Sequence, residues 1–232
     1  MYNVAIILAG GIGNRLGSTI PKQLLKIRNK TIIEYSIEAF EHNNNIDEIA
    51  IVINNHYIDE ITSIVSNNKY QKVSKILVGG KERSDSSISA IKAFSNNTNQ
   101  DLNLIFHDSV RPLISNDIIN NVILALESHN AVNVGIKCTD TIMQLNESKC
   151  IENIPNRDFL YRTQTPQAFK YSTINEAYNL ALKDKKFKAT DDCGVVLKYL
   201  PNENIYVVNG DEKNIKITYK DDLQIMDLLL GQ

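Results

Sequence analysis

Short apolar runs rich in valine and isoleucine alternate along this chain with longer stretches whose apolar positions recur at helical spacing. The runs at Val4–Ala9, Glu48–Ile53, Lys75–Val78, Leu102–His107 and Val132–Lys137 are nearly continuous, which is the pattern of strands covered on both faces. Between them the spacing predicts helices over residues 31–42, 57–66, 85–94 and 116–128, the first opened by a Thr31-x-x-Glu34 capping box. Strands that alternate with helices predict an α/β fold with a doubly wound, mostly parallel sheet. Ligands in such folds sit beyond the carboxyl ends of the strands.

Residues 139–170 break the rhythm. They alternate weakly, carry Pro155 and Pro166 and show no helical period, so they predict an extended arm or hairpin that protrudes from a single domain spanning residues 1–232. Beyond the arm the pattern gives a helix over 173–183, a short one over 194–200, a strand over 204–208 and a last helix over 220–230. With 232 residues, 43% of them hydrophobic, the chain can bury one substantial core and not two.

Charge narrows the functional classes. Twenty-five Lys and Arg stand against 27 Asp and Glu, a net charge of −2, so no broad positive field is available for nucleic acid or an anionic membrane. Phosphate binding must therefore be local. The three cysteines, Cys138, Cys150 and Cys193, form neither a CxxC pair nor a disulfide framework, and they point to a reduced, cytoplasmic setting. The apolar start is too short for a membrane span or a signal core.

The first strand runs into Leu8-Ala9-Gly10-Gly11-Ile12-Gly13-Asn14-Arg15, where glycines let the backbone approach a ligand and turn amides toward phosphate oxygens. A dinucleotide site needs a third glycine where Leu16 stands and an acid at the end of the second strand, where Ile53 and Asn54 stand. Both are missing, as is the Gly-Lys-Ser/Thr of a P-loop. What remains is a glycine loop with its own cation, Arg15, followed by Pro21-Lys22-Gln23. Glycine turns after strands are common on structural grounds alone. Two cations beside one suit a triphosphate, whose leaving group gains charge during transfer.

Asp108 follows a buried strand directly, at the sheet edge where a carboxylate can serve as a magnesium ligand, since Ser115 or Asn116 is better placed to cap the next helix. His107 reads as a packing residue, and the four histidines are too scattered for a metal cluster. Arg111 either binds an anion or pairs with a neighbouring acid. Lys216 alternates with Ile215 and Ile217, so it points away from two buried neighbours. The pair Asp191 and Asp192 suits either a second metal or the favourable field at a helix start.

The glycine loop with Arg15, the Pro-Lys that follows, Gly79-Gly80-Lys81-Glu82-Arg83-Ser84-Asp85-Ser86, His107-Asp108-Ser109-Val110-Arg111-Pro112, Asp140-Thr141, Arg157, Gln164-Thr165-Pro166-Gln167, Thr190-Asp191-Asp192 and Asn214-Ile215-Lys216-Ile217-Thr218 occur in order over more than 200 residues. Together they resemble the sugar-phosphate nucleotidyltransferases, in their cytidylyltransferase branch. The resemblance implies a Rossmann-like nucleotidyltransferase fold and transfer of CMP from CTP to a small polyol phosphate with Mg²⁺ as cofactor. It implies that Leu8, Ala9, Gly10, Gly11, Gly13, Gly80, Arg83 and Ser86 hold the nucleotide. Arg15 and Lys22 would sit on the triphosphate, Lys216 on the α-phosphate and Asp108 on the metal, with Arg111, Thr141, Arg157 and Thr165 on the acceptor. It also implies a homodimer in which Thr141 and Arg157 of one arm reach the acceptor bound by the partner. Leu-Ala-Gly-Gly, Ser109-Val110 and Ile154-Pro155-Asn156-Arg157 lean toward ribitol 5-phosphate as acceptor, with 2-C-methyl-D-erythritol 4-phosphate the alternative. A module that binds the nucleotide without catalysis is the rival from another class.

Overall fold

The computed structural model describes residues 1–11, 20–97 and 101–231. Gly13 and Arg15 lie outside the described residues. In chain order the elements are β1 (Tyr2–Ala9), β2 (Lys26–Ile27), β3 (Lys30–Thr31), α1 (Ile32–Glu41), β4 (Glu48–Ile53), α2 (Ile58–Asn68), β5 (Val73–Val78), α3 (Arg83–Ala93), β6 (Leu102–Asp108), α4 (Asn116–Ala125), β7 (Ala131–Lys137), β8 (Gln144–Leu145), β9 (Ile151–Asn153), β10 (Tyr161–Lys170), α5 (Tyr171–Ala181), α6 (Asp192–Tyr199), β11 (Ile205–Asn209) and α7 (Lys220–Leu229).

Seven strands form one sheet in the order β11-β7-β10-β6-β1-β4-β5. Its pairings are parallel except at β10, which runs antiparallel to both β6 and β7. The expected doubly wound, mostly parallel sheet is what the chain builds.

The apolar runs are continuous because successive side chains serve opposite faces. Along β1, Ala5, Ile7 and Ala9 join a core with Ile33, Ile37 and Phe40 of α1, while Val4, Ile6 and Leu8 join another with Ala90 and Ile91 of α3 and Ile174 of α5. A smaller cluster of Ile32, Val110, Ile217 and Met226 ties α7 to the end of the molecule where the site lies. The capping box at α1 is present: Thr31 N–H donates to the Glu34 carboxylate at 2.6 Å. Ser115 caps α4, accepting from Ile118 N–H at 3.3 Å, so Asp108 is free of that task.

The fold departs from the expected arm in one respect. Only residues 138–160 protrude, carrying the small β8–β9 hairpin, whereas Tyr161–Lys170 is a central strand of the main sheet. A proline and four polar residues argue against a buried strand, but the register with β7 shifts between Thr163 and Gln167, so the segment around Pro166 is released from that ladder. Its buried polar side chains, Gln164, Thr165 and Gln167, serve the site instead of the core.

Candidate active site

The carboxyl ends of β1, β4, β5 and β6 open onto one cavity of about 640 Å³. Each strand contributes the residues just past its end. Gly10 and Gly11 follow β1, Asn54 and Asn55 follow β4, Gly79 to Arg83 follow β5, and Asp108 closes β6 ahead of Ser109 and Val110. Lys22, Gln23, Lys216 and Thr218 complete the wall. Four basic side chains, Lys22, Lys81, Arg83 and Lys216, thus face the cavity against Glu82 and Asp108. That balance matches a strongly anionic ligand in a chain with no general positive field.

The glycines are there for close approach. Ser86, 3% exposed, packs its hydroxyl where a Cβ on Gly10 or Gly79 would stand, and a side chain on Gly80 would run into Asp85. Gln23 holds the exit from β1: its amide donates to the carbonyls of Ala9 at 2.5 Å and Gly11 at 3.1 Å.

Asp108 is the electrostatic centre. Lys216 Nζ lies 2.7 Å from one carboxylate oxygen and Arg83 Nε 3.5 Å from the other. Burial alone raises the carboxyl pKa, but Arg83 and then Lys216 more than offset it, and the group titrates well below the usual carboxylate range. Arg83 is held in turn by Asp192, at 2.5 Å, and Asp192 accepts from the Tyr178 hydroxyl at 2.6 Å. Asp192 is fully buried, so removing Arg83 would leave its charge uncompensated at a cost of about 3–5 kcal/mol. Asp191 caps α6, accepting from Gly194 N–H at 2.8 Å. The acidic pair therefore divides its work between a helix start and the arginine, and only Asp192 touches a cavity cation.

Lys216 sits on an irregular extended segment and not in a strand. The alternation held nonetheless: Ile217 is buried, Ile215 half-buried and Lys216 exposed. The segment is fixed from several sides. Ile217 N–H donates to the Val110 carbonyl at 2.8 Å, Lys22 Nζ donates to the Ile217 carbonyl at 2.9 Å, and Arg111 donates to the Asn214 carbonyl at 2.7 Å. Buried Asn214 donates to the Thr165 carbonyl at 3.0 Å and to Gln164 at 3.2 Å.

Of the predicted site residues, Leu8, Ala9, Gly10, Gly11, Lys22, Gly80, Arg83, Ser86, Asp108 and Lys216 all line this cavity. Arg111 and Thr165 lie behind its wall. Arg111 is occupied with the carbonyls of Asn214 and Thr163, and Thr165 is 6% exposed beside the Asp108 backbone. Thr141 and Arg157 lie out on the arm, exposed and away from the cavity, where the Arg157 side chain bonds only the Thr139 carbonyl, at 3.4 Å, among the described residues.

The family model of 2-C-methyl-D-erythritol 4-phosphate cytidylyltransferase, IspD, matches residues 3–232. The chain belongs to this family. It is a cytidylyltransferase, and enzymes of the IspD family use a divalent metal. A bifunctional ribulose 5-phosphate reductase/CDP-ribitol pyrophosphorylase of Haemophilus influenzae is 44% identical over 98% of this chain, which spans 48% of that protein. A 2-C-methyl-D-erythritol 4-phosphate cytidylyltransferase of Thermobifida fusca is 41% identical over 97% of this chain and 92% of its own length. A solved structure, the 4-diphosphocytidyl-2C-methyl-D-erythritol synthase of Anaerococcus prevotii, superposes with a TM-score of 0.86 at 28% identity, covering 100% of this chain and 96% of its own.

For an IspD family member the metal question comes down to donors. Among the described residues no group of three or more His, Cys, Asp or Glu could cage an ion. Magnesium needs no cage when a triphosphate supplies oxygens, because it is held by one or two carboxylates, phosphate oxygens and retained water. A single carboxylate on the cavity wall fits that requirement. Sequence reasoning gave Gln23 no role and set Asp192 between a second metal and a helix start, so its hold on Arg83 was missed. Gln23 is adjacent to Pro-Lys and Asp192 belongs to a resembling motif, but a buried amide or acid leaves no periodic signal of its own.

Proposed function

We propose that the enzyme transfers CMP from CTP to D-ribitol 5-phosphate, giving CDP-ribitol and pyrophosphate. An oxygen of the acceptor phosphate forms a bond to the α-phosphorus while the bond from that phosphorus to the bridging oxygen of pyrophosphate breaks. The acceptor phosphate is largely dianionic near neutral pH, its second ionisation lying near about 6, so no strong general base is needed. Catalysis is positional and electrostatic. Lys22 and Arg15 serve the triphosphate, Lys216 the α-phosphate, and the backbone beside Gly10, Gly11 and Gly80, with Arg83 and Ser86, the nucleotide. Asp108 and the phosphates would hold Mg²⁺, which supplies charge neutralisation on the phosphates when bound.

The observation that carries this reading is the carboxylate held between Lys216 and Arg83 in a cavity with a cationic wall, at the edge where four strands end. The choice of ribitol phosphate is supported by the Haemophilus influenzae relative and by Ser109-Val110 and Ile154-Pro155-Asn156-Arg157. The alternative acceptor, 2-C-methyl-D-erythritol 4-phosphate, is favoured by the family description and the Thermobifida fusca relative.

We further propose a homodimer with shared sites. Seven apolar side chains between residues 142 and 161, Phe159 at 82% exposed the most open, stand in solvent on the arm or at its base, and exposed apolar surface of that kind marks a contact face. A partner's arm would bring Thr141 and Arg157 to the acceptor. The buried free thiols of Cys138 and Cys193 suit a cytoplasmic enzyme, and among the described residues no helix is long and apolar enough to cross a membrane. Pyrophosphate release from CTP and Mg²⁺, measured in parallel with ribitol 5-phosphate and 2-C-methyl-D-erythritol 4-phosphate, tests the reaction. Release with ribitol phosphate alone supports the proposal, and release with methylerythritol phosphate alone moves the acceptor while leaving the mechanism.

A further inference from the structure

Behind Asp108 lies a buried polar group that the chemistry above does not use. His107 is 0% exposed, one residue before the carboxylate, with its ring packed on Phe40 at 5.2 Å between centroids. Its Nε2 lies 3.0 Å from the Arg111 carbonyl oxygen, and its Nδ1 lies 3.1 Å from the Thr165 hydroxyl. The same hydroxyl accepts from Asp108 N–H at 3.1 Å.

The chemistry of each atom fixes the direction of these bonds. A carbonyl oxygen only accepts, so Nε2 carries a proton. Among the described residues no carboxylate bonds the ring, and a fully buried imidazolium with no counter-ion in contact is costly, so the ring is neutral and Nδ1 is bare. A bare ring nitrogen only accepts, so the Thr165 proton points at His107. One chain of bonds then runs from Asp108 N–H through Thr165 to His107 and on to the Arg111 carbonyl.

We propose that His107 is a positioning residue of the transfer reaction. Held in its Nε2–H tautomer, it orients Thr165 as acceptor for Asp108 N–H and pins the turn at Arg111, so the backbone that carries the carboxylate cannot rotate. The inference rests on the assignment of Asp108 to the reacting centre. It also limits the part Thr165 plays: its proton is committed to the imidazole, so it has none to give an acceptor phosphate.

Two measurements test this, and the first is independent of which acceptor is used. Long-range proton–nitrogen spectra of wild-type protein labelled with ¹⁵N-histidine, with His107 assigned by the signal that His107→Gln removes, are expected to show the Nε2–H tautomer. They are also expected to show an Nδ1 shift that moves toward the free-nitrogen value in Thr165→Val. An Nδ1–H tautomer, or no response to Thr165→Val, overturns the proposal. In the second, His107→Leu is expected to lower kcat about 10- to 100-fold, the usual scale for a group that orients a ligand-bearing residue, with the KM for CTP nearly unchanged. His107→Asn, whose amide oxygen stands where Nδ1 does, is expected to recover most of that loss. Equal losses in both variants, tracking a fall in melting temperature, would reduce His107 to packing.

Discussion

In the proposed dimer the cavity and the arm are two halves of one site, and they are built in opposite ways. In the cavity the central charge is already held by its own chain: Asp108 lies between Lys216 and Arg83, Arg83 against Asp192, and Lys22 on the Ile217 carbonyl. Groups fixed in this way need no reorganisation when charge develops. On the arm, Thr141 and Arg157 are exposed beside a row of apolar side chains, and a long cation held by one carbonyl has many rotamers to lose. The difference teaches where binding energy goes. On the proposed reading, nucleotide affinity is paid for by folding, whereas acceptor affinity would depend on a second surface that orders the arm.

The largest effect is expected at Lys22, which serves the proposed triphosphate site and the Lys216 segment together. Lys22→Ala should lower kcat by about 10³-fold or more, since losing one preorganised donor already costs about 10²–10³ and the neighbouring segment loses its tie. Circular dichroism should be unchanged, because the side chain is half-buried at the cavity wall and outside the core clusters. Near-normal turnover would remove Lys22 from the site and with it the picture of a prebuilt half.

Next in size is the split between the halves. Arg157→Ala should reduce kcat/KM for the acceptor by about 10²-fold, the scale of a lost charged contact, while the KM for CTP stays within about twofold. Lys216→Ala should be equally impaired by itself. If the sites are shared, co-refolding the two inactive variants gives mixed dimers with one intact site each, and about a quarter of wild-type activity should return for random pairing in a two-fold dimer. No recovery would mean that each chain completes its own site.

A smaller effect isolates the contact face. Phe159→Ser should change the stability of a protomer by no more than about 0.5 kcal/mol, as expected for an exposed position. Sedimentation at falling protein concentration should nevertheless show dissociation earlier than in the wild type, with activity per chain falling alongside it. A variant that sediments and turns over as the wild type does would separate the arm from assembly.

The same contrast explains what could be read in the sequence. The parallel strands and their covering helices were legible because continuous apolar runs and the capping box at Thr31 follow from burial alone. The cavity was legible because its members cluster just past strand ends, as Gly10, Gly80, Arg83 and Asp108 do. Tyr161–Lys170 reads as arm in the sequence because a central strand that carries Gln164, Thr165, Pro166 and Gln167 spends its inward positions on polar contacts around the site and so loses the apolar signature. Lys216 was legible by alternation without being in a strand. His107 reads as packing in the sequence, since a buried histidine between a strand and a carboxylate declares its role only through the atoms it meets.

The finest distinction concerns pH. Asp108 is held ionised in the folded protein because Arg83 and Lys216 outweigh the burial that opposes its charge. A carboxyl with a lowered folded pKa contributes stability that is fully present above its unfolded value, near about 3.9, and is lost only as pH falls toward the folded value. Between pH 5 and 9, then, Asp108 changes neither stability nor activity. The acid limb of kcat/KM should come from the acceptor's phosphate, with a second ionisation near about 6. A phosphonate analogue of the acceptor, which ionises at higher pH, should carry that limb upward with it, whereas a limb that stays in place with the analogue would belong to a group on the enzyme. His107 does not supply that group, because burial pulls its pKa down to about 4, and the arm offers no histidine, so a stationary limb would point to a rearrangement of the cavity on binding CTP.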